Sequence, residues 1–203
     1  IIVGMVFDFS DGFAARVLKA YSALGKELDS LADMVTFGVA PGSIVFNLLT
    51  AGGMTELKAF AVAVIIPAAS ALRLARFNND PEQSSSFRGL ATPASAFTIV
   101  SVSLAAAWSD CRIYDMMAGS PLFISLLALF LSVMMLLNVR MFSLKFTSLK
   151  WKGNEERLIF VAVSILLLVI FRIAALPMIM AAYLLISFIF SVTAGRRTSS
   201  GVM

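Results

Sequence analysis

Long apolar runs dominate the chain, separated by short polar breaks. Runs of roughly 17–25 apolar residues match the length of a transmembrane helix. Six or seven runs qualify, at approximately 1–20 (cut short), 27–50, 56–77, 92–109, 121–140, 157–173 and 175–194. Gly52-Gly53, Asn78-Asn79-Asp80-Pro81 and Gly119-Ser120-Pro121 carry turn chemistry between runs. Arg172 and Pro177 split the last apolar tract in two. The polar stretch 82–86 is too short for a domain linker, and no internal repeat is evident. The pattern predicts an all-α fold: one polytopic transmembrane helix bundle occupying residues 1–203.

Composition agrees and adds exclusions. The chain is 60% hydrophobic and 14% charged, against about half and a quarter for a soluble domain. It has no histidine, so the commonest general base and commonest transition-metal ligand are both missing. Acid–base or metal chemistry would fall to carboxylates, which favour Mg²⁺, Mn²⁺ or Ca²⁺. The single cysteine, Cys111, rules out an intramolecular disulfide. The chain begins at Ile1 in mid-run, so it reads as truncated at its amino end.

Charge orients the bundle. Of sixteen Lys and Arg, all but Lys58, Arg112 and Arg172 fall on one side of the alternating spans. By the positive-inside rule that side is cytoplasmic. The same rule accounts for the net charge of +4 without nucleic acid. The basic loop within 140–157 interleaves Phe142, Leu144, Phe146, Leu149 and Trp151 with lysines. It reads either as a segment lying on anionic lipid or as an ordinary cytoplasmic loop.

Four carboxylates break the pattern. Asp8, Asp11, Asp29 and Asp33 sit within apolar runs, whereas Asp80, Glu82, Asp110, Asp115, Glu155 and Glu156 fall in expected loops. A charge at the bilayer centre costs about 2.5–3.5 kcal/mol, so four would cost on the order of 10 kcal/mol without a compensating cation. Asp8 and Asp11 are spaced i, i+3 and Asp29 and Asp33 i, i+4, so each pair shares a helix face. With a turn near Ser22, Asp11 and Asp33 lie equally far from the bend and meet at one depth, near the cytoplasmic edge. Gly12 and Gly25 leave room for a ligand, Ala15 keeps the face shallow, and Arg16 adds a cation at the mouth. Such a cluster suits one or two divalent ions, and a pair about 3.5–4 Å apart would clamp a phosphoryl group. The competing reading pairs the aspartates with Arg16, Lys19, Lys26 and the Arg73/Arg76 cluster.

The arrangement Asp8-x2-Asp11-Gly12-x2-Ala15-Arg16-x8-Gly25-x3-Asp29-x3-Asp33 resembles the signature of the CDP-alcohol phosphatidyltransferases. The resemblance implies transfer of a phosphatidyl or related group from CDP-diacylglycerol to an alcohol, with release of CMP. It implies Asp8, Asp11 and Asp29 as metal ligands for Mg²⁺ or Mn²⁺, and Asp33 as a further ligand and general base. Gly12, Ala15, Arg16 and Gly25 would line the CDP-diacylglycerol site. A homodimer in a bacterial or archaeal cell membrane, with its active site facing the cytoplasm, is also implied.

Three later stretches are similar to the phosphatidylserine synthase branch of that family: "SLADMVTFGVAPGS", "ALRLARFNND" and "FRGLATPASA". L-Serine is the acceptor this implies. Ala91 departs from the branch, standing where proline is usual. Arg73 and Arg76, at i, i+3, are candidate carboxylate ligands, and Asn78, Thr36 and Ser95 candidate hydrogen-bonding groups. A phosphate-bearing acceptor such as glycerol 3-phosphate would want the same arginines. A cation transporter is the rival from another class. Phe37 and Phe77 read as packing or lipid-facing residues rather than base-stacking ones. The closing apolar tract reads as scaffold, either the wall of a lipid-access groove or a dimer face.

Overall fold

The computed structural model describes residues 1–18, 22–79, 89–139 and 154–199. These residues form helices and the turns between them. The polar loop at 82–86 and most of the basic loop, through residue 153, lie outside them.

The chain opens with an antiparallel hairpin. Helix α1 spans Ile2–Leu18 and α2 spans Ala23–Met34. Ser22, in an extended conformation, caps α2 by accepting a hydrogen bond from the Gly25 amide. A Cβ at Gly25 would come within 2.9 Å of the Ser22 hydroxyl, so glycine gives the cap its room. Gly4 abuts the methyl of Thr36, while Asp8, further along α1, approaches Asp29 and Asp33. Partners that fall in number as α1 advances are the mark of antiparallel packing.

Helix α2 continues through a π-helical turn, Val35–Val39, into α3, Ala40–Ala51. Helices α4 (Glu56–Ala63) and α5 (Ile65–Asn79) return beside it. The predicted 56–77 run thus contains a break at Val64. Pro67 explains it: proline gives no N–H to Ala63 and crowds that carbonyl. The approach is close because Gly38 and Gly42 share a face. A Cβ at Gly38 would lie 3.1 Å from Ser70 Cβ, and one at Gly42 3.2 Å from the Ala63 carbonyl oxygen. Backbones come together where side chains are small, the usual basis of helix association in membranes.

Helix α6, Thr92–Trp108, is the most enclosed, with Ser95, Ala96, Ile99, Ser101 and Ala105 buried. Helix α7, Arg112–Ala118, occupies a stretch read above as loop, so Asp115 lies in a helix. Helix α8, Pro121–Leu136, stops short of the expected 140. Its end is closed by another segment: the Gly89 and Leu90 amides donate to the Val139 and Met134 carbonyls. Gly89 is obligatory there. Its φ is +75°, and a Cβ would meet the Met135 carbonyl oxygen at 2.7 Å.

Helices α9, Glu155–Phe171, and α10, Ala175–Ser199, form a second hairpin, turning at Arg172–Ala174. Phe160 and Tyr183 stack edge to face with centroids 5.8 Å apart, although 23 residues separate them along the chain. One straight helix would hold them about 35 Å apart. Tyr114 on α7 donates a 2.8 Å hydrogen bond to the Ala174 carbonyl and pins the turn.

Among the described residues, three stretches are long and apolar enough to cross a membrane: Leu24–Ala51, Glu56–Asn79 and Arg157–Ile189. The bent pair α7–α8, at 76°, makes a fourth candidate. Arg157–Ile189 is the region that folds back as α9 and α10. Large apolar side chains on α1, α9 and α10 are exposed, including Phe7, Phe13, Leu166, Val169 and Phe188. Facing lipid carries no penalty for them, since lipid tails are as apolar as leucine.

Candidate active site

The carboxylates gather at the bundle end where α1 and α2 join, α5 finishes and α6 begins. Asp29 and Asp33 lie one turn apart on α2, and Asp8 faces them from α1. A carboxylate oxygen from each lies within 4.8 Å of the other two. Asp8 and Asp33 are half-buried and Asp29 is exposed. Two unit charges 4.8 Å apart repel by about 3 kcal/mol at an effective dielectric near 20. A divalent cation between them reverses that sign. Mg²⁺ held at about 2.0–2.1 Å places its ligand oxygens roughly 3–4 Å apart, a spacing small side-chain rotations reach from here. The oxygen-only donor set suits such a hard ion.

Asp11, Gly12, Ala15 and Arg16 belong to α1. Their side chains lie outside the described part of the structure.

Beside the carboxylates lies a pocket of ≈ 240 Å³. Its lining includes Asp29 and Asp33 with Lys26, Ser30, Arg73, Asn78 and Thr92. Cavities for drug-sized ligands run about 300–1,000 Å³, so this space suits a small molecule better than a nucleotide-linked lipid. Helices α2 and α5 are tied together along its rim. The Asn78 side-chain amide donates to the Ser30 hydroxyl at 2.8 Å, and Lys26 Nζ donates to the Asn78 carbonyl at 3.2 Å.

The two arginines of α5 separate. Arg73 is buried and lines the pocket. Arg76 instead donates to the Leu136 carbonyl at 3.1 Å, a cation at a helix C-terminus where the dipole favours it. Thr36 packs against Gly4, away from the pocket wall. Ser95 is fully buried, one turn further into α6 from Thr92. Phe37 is core, in keeping with the packing expected of it, whereas Phe77 borders the pocket.

Sequence reasoning gave no site role to Ser30 or Thr92, and it used Lys26 as a topological charge and, in the competing reading, as an ion-pair partner of the aspartates. Ser30 could have been found by extending the Asp33 face back by three residues. Thr92 enters from another helix, and nothing in its local sequence announces it.

The first hairpin thus presents facing carboxylates that could hold a metal ion, beside a small pocket lined by Lys26 and Arg73. The family model of the CDP-alcohol phosphatidyltransferases matches residues 1–137, and the chain belongs to that family. Its relatives narrow the comparison. The CDP-diacylglycerol–serine O-phosphatidyltransferase of Helicobacter pylori (strain 26695) is 33% identical over 189 residues, covering 91% of this chain and 75% of that protein. The enzyme of the same name from Bacillus subtilis is 39% identical over 105 residues, covering 51% and 57% respectively. An archaetidylserine synthase of Methanothermobacter thermautotrophicus is 32% identical over 127 residues, covering 61% and 53%. The matched region spans about half the length of the Bacillus and Methanothermobacter relatives.

Proposed function

We propose that the protein transfers a phosphatidyl group from CDP-diacylglycerol to L-serine, giving phosphatidylserine and CMP. The observation that carries this reading is the convergence of Asp8, Asp29 and Asp33 beside a pocket sized for a small acceptor and lined by Arg73 and Lys26. The serine-specific names of the relatives support the choice of acceptor.

In this reading Asp8, Asp11, Asp29 and Asp33 hold divalent cations, Mg²⁺ or Mn²⁺, which would offset the charge developing on the phosphoryl oxygens. Asp33 borders both the carboxylate cluster and the pocket, and it takes the proton of the serine hydroxyl. The serine oxygen then forms a bond to the diacylglycerol-bearing phosphorus as the bond to CMP breaks in line. Gly12, Ala15, Arg16 and Gly25 bind the CDP-diacylglycerol. The site faces the cytoplasm of a bacterial or archaeal cell, in keeping with the distribution of lysine and arginine.

The test is CMP release by purified protein in detergent, supplied with CDP-diacylglycerol and Mn²⁺ or Mg²⁺. Serine-dependent release that disappears with EDTA is the expected result. Release with glycerol 3-phosphate and not with serine would keep the chemistry and overturn the acceptor.

A further inference from the structure

The start of α6 lines the same pocket as Asp29 and Asp33. Ala91 precedes this helix in an extended conformation and has no side chain to cap it. The first-turn N–H groups therefore have no acceptor within the helix. Pro93 carries no N–H, so these donors belong to Thr92 and Ala94. On its own, an uncapped helix start says little.

Two further atoms change that. The Thr92 hydroxyl and Arg73 Nε are both buried, in residues only 1% and 8% exposed. Neither has a hydrogen-bond partner, and both residues line the pocket. An unsatisfied buried polar group costs about 1–3 kcal/mol. A pocket ligand that accepted hydrogen bonds from both atoms would remove that cost. A helix N-terminus and a guanidinium both favour an anion, and the hydroxyl is free to donate to one.

We propose that Thr92, the first-turn amides of α6 and Arg73 form the seat for the carboxylate of the amino-acid acceptor, an inference that rests on the serine reading above. The acceptor would lie across the pocket, its carboxylate on α6 and Arg73 and its hydroxyl towards Asp33. Thr92 is then a specificity residue: it reads the acid group that separates serine from a simple amino alcohol.

The experiment measures KM for L-serine and for CDP-diacylglycerol in the parent protein, Thr92→Val, Thr92→Ser and Arg73→Gln. Thr92→Val keeps the shape and removes the donor. Its KM for serine should rise roughly tenfold or more, the size of one lost hydrogen bond to a charged group, while KM for CDP-diacylglycerol stays within about twofold. Thr92→Ser should restore the parent value. Arg73→Gln should raise the serine KM independently, which keeps the test decisive if Thr92→Val does not fold. An unchanged serine KM in Thr92→Val and Arg73→Gln overturns the seat and leaves the proposed function standing, as does a parallel rise in both KM values. A parent protein that releases CMP with glycerol 3-phosphate but not serine overturns the carboxylate assignment and the acceptor reading together.

Discussion

Two antiparallel hairpins among the described residues, α1–α2 and α9–α10, share one plan and differ in what meets at their facing positions. In the first, α1 and α2 turn near Ser22 and bring Asp8 against Asp29 and Asp33. In the second, α9 and α10 turn at Arg172 and bring Phe160 against Tyr183. Both juxtapose residues more than 20 apart in sequence. The aromatic pair attracts on its own, by an edge-to-face contact worth about 0.5–1.5 kcal/mol beyond its buried area. The carboxylates bring like charge to within 4.8 Å of one another, a grouping that could hold a metal ion. The difference lies in the side chains at the facing positions.

The comparison can be broken most sharply at Asp33. Asp33→Asn keeps the shape and removes the base, and CMP release should fall by about 10²–10⁴, equivalent to roughly 3–5 kcal/mol of barrier. The thermal midpoint in detergent should change little. Parent-like turnover would overturn the base assignment.

A second test separates the hairpins by their response to metal. Mg²⁺ or Mn²⁺ should raise the thermal midpoint of the parent and of Phe160→Ala, but not that of Asp8→Asn/Asp29→Asn. A double variant still stabilised by metal would place the ion elsewhere.

Smaller effects test the supports around the site. Gly89→Val forces a β-branched residue into a left-handed backbone with no room for its Cβ, at a cost of about 1–3 kcal/mol. It should lower the thermal midpoint and disturb the adjoining start of α6. Phe160→Ala should also lower stability while leaving KM values unchanged. The smallest loss is expected for Arg76→Ala, about 0.3–1 kcal/mol from one helix-end interaction, again without a change in serine KM. A selective rise in serine KM with Arg76→Ala would return that residue to the pocket.

How much of this was legible in the sequence depended on distance along the chain. The carboxylate cluster was readable because helical spacing pairs Asp29 with Asp33, and a short turn sets the depth at which Asp8 can meet them. Arg73 and Arg76 looked equivalent at i, i+3. Three residues advance about 300° around a helix, which leaves the two directions about 60° apart. That is enough to aim one into the pocket and the other at the end of α8. Helix α7 was missed because seven residues containing Arg112 and Asp115 carry no apolar run. The expected end of α8 was too late because the segment that stops it, Gly89–Leu90, lies more than 40 residues upstream.

The sequence by itself determined the membrane class, the uneven placement of cations and the family signature, because each follows from composition or from spacing along one helix. Tertiary structure alone decided which arginine lines the pocket, that Thr36 packs against Gly4, and that Thr92 joins Asp29 and Asp33 in the pocket lining. Those outcomes depend on how separate helices rotate and approach one another. That is set by shape at contacts such as Gly38 on Ser70, which local spacing does not encode.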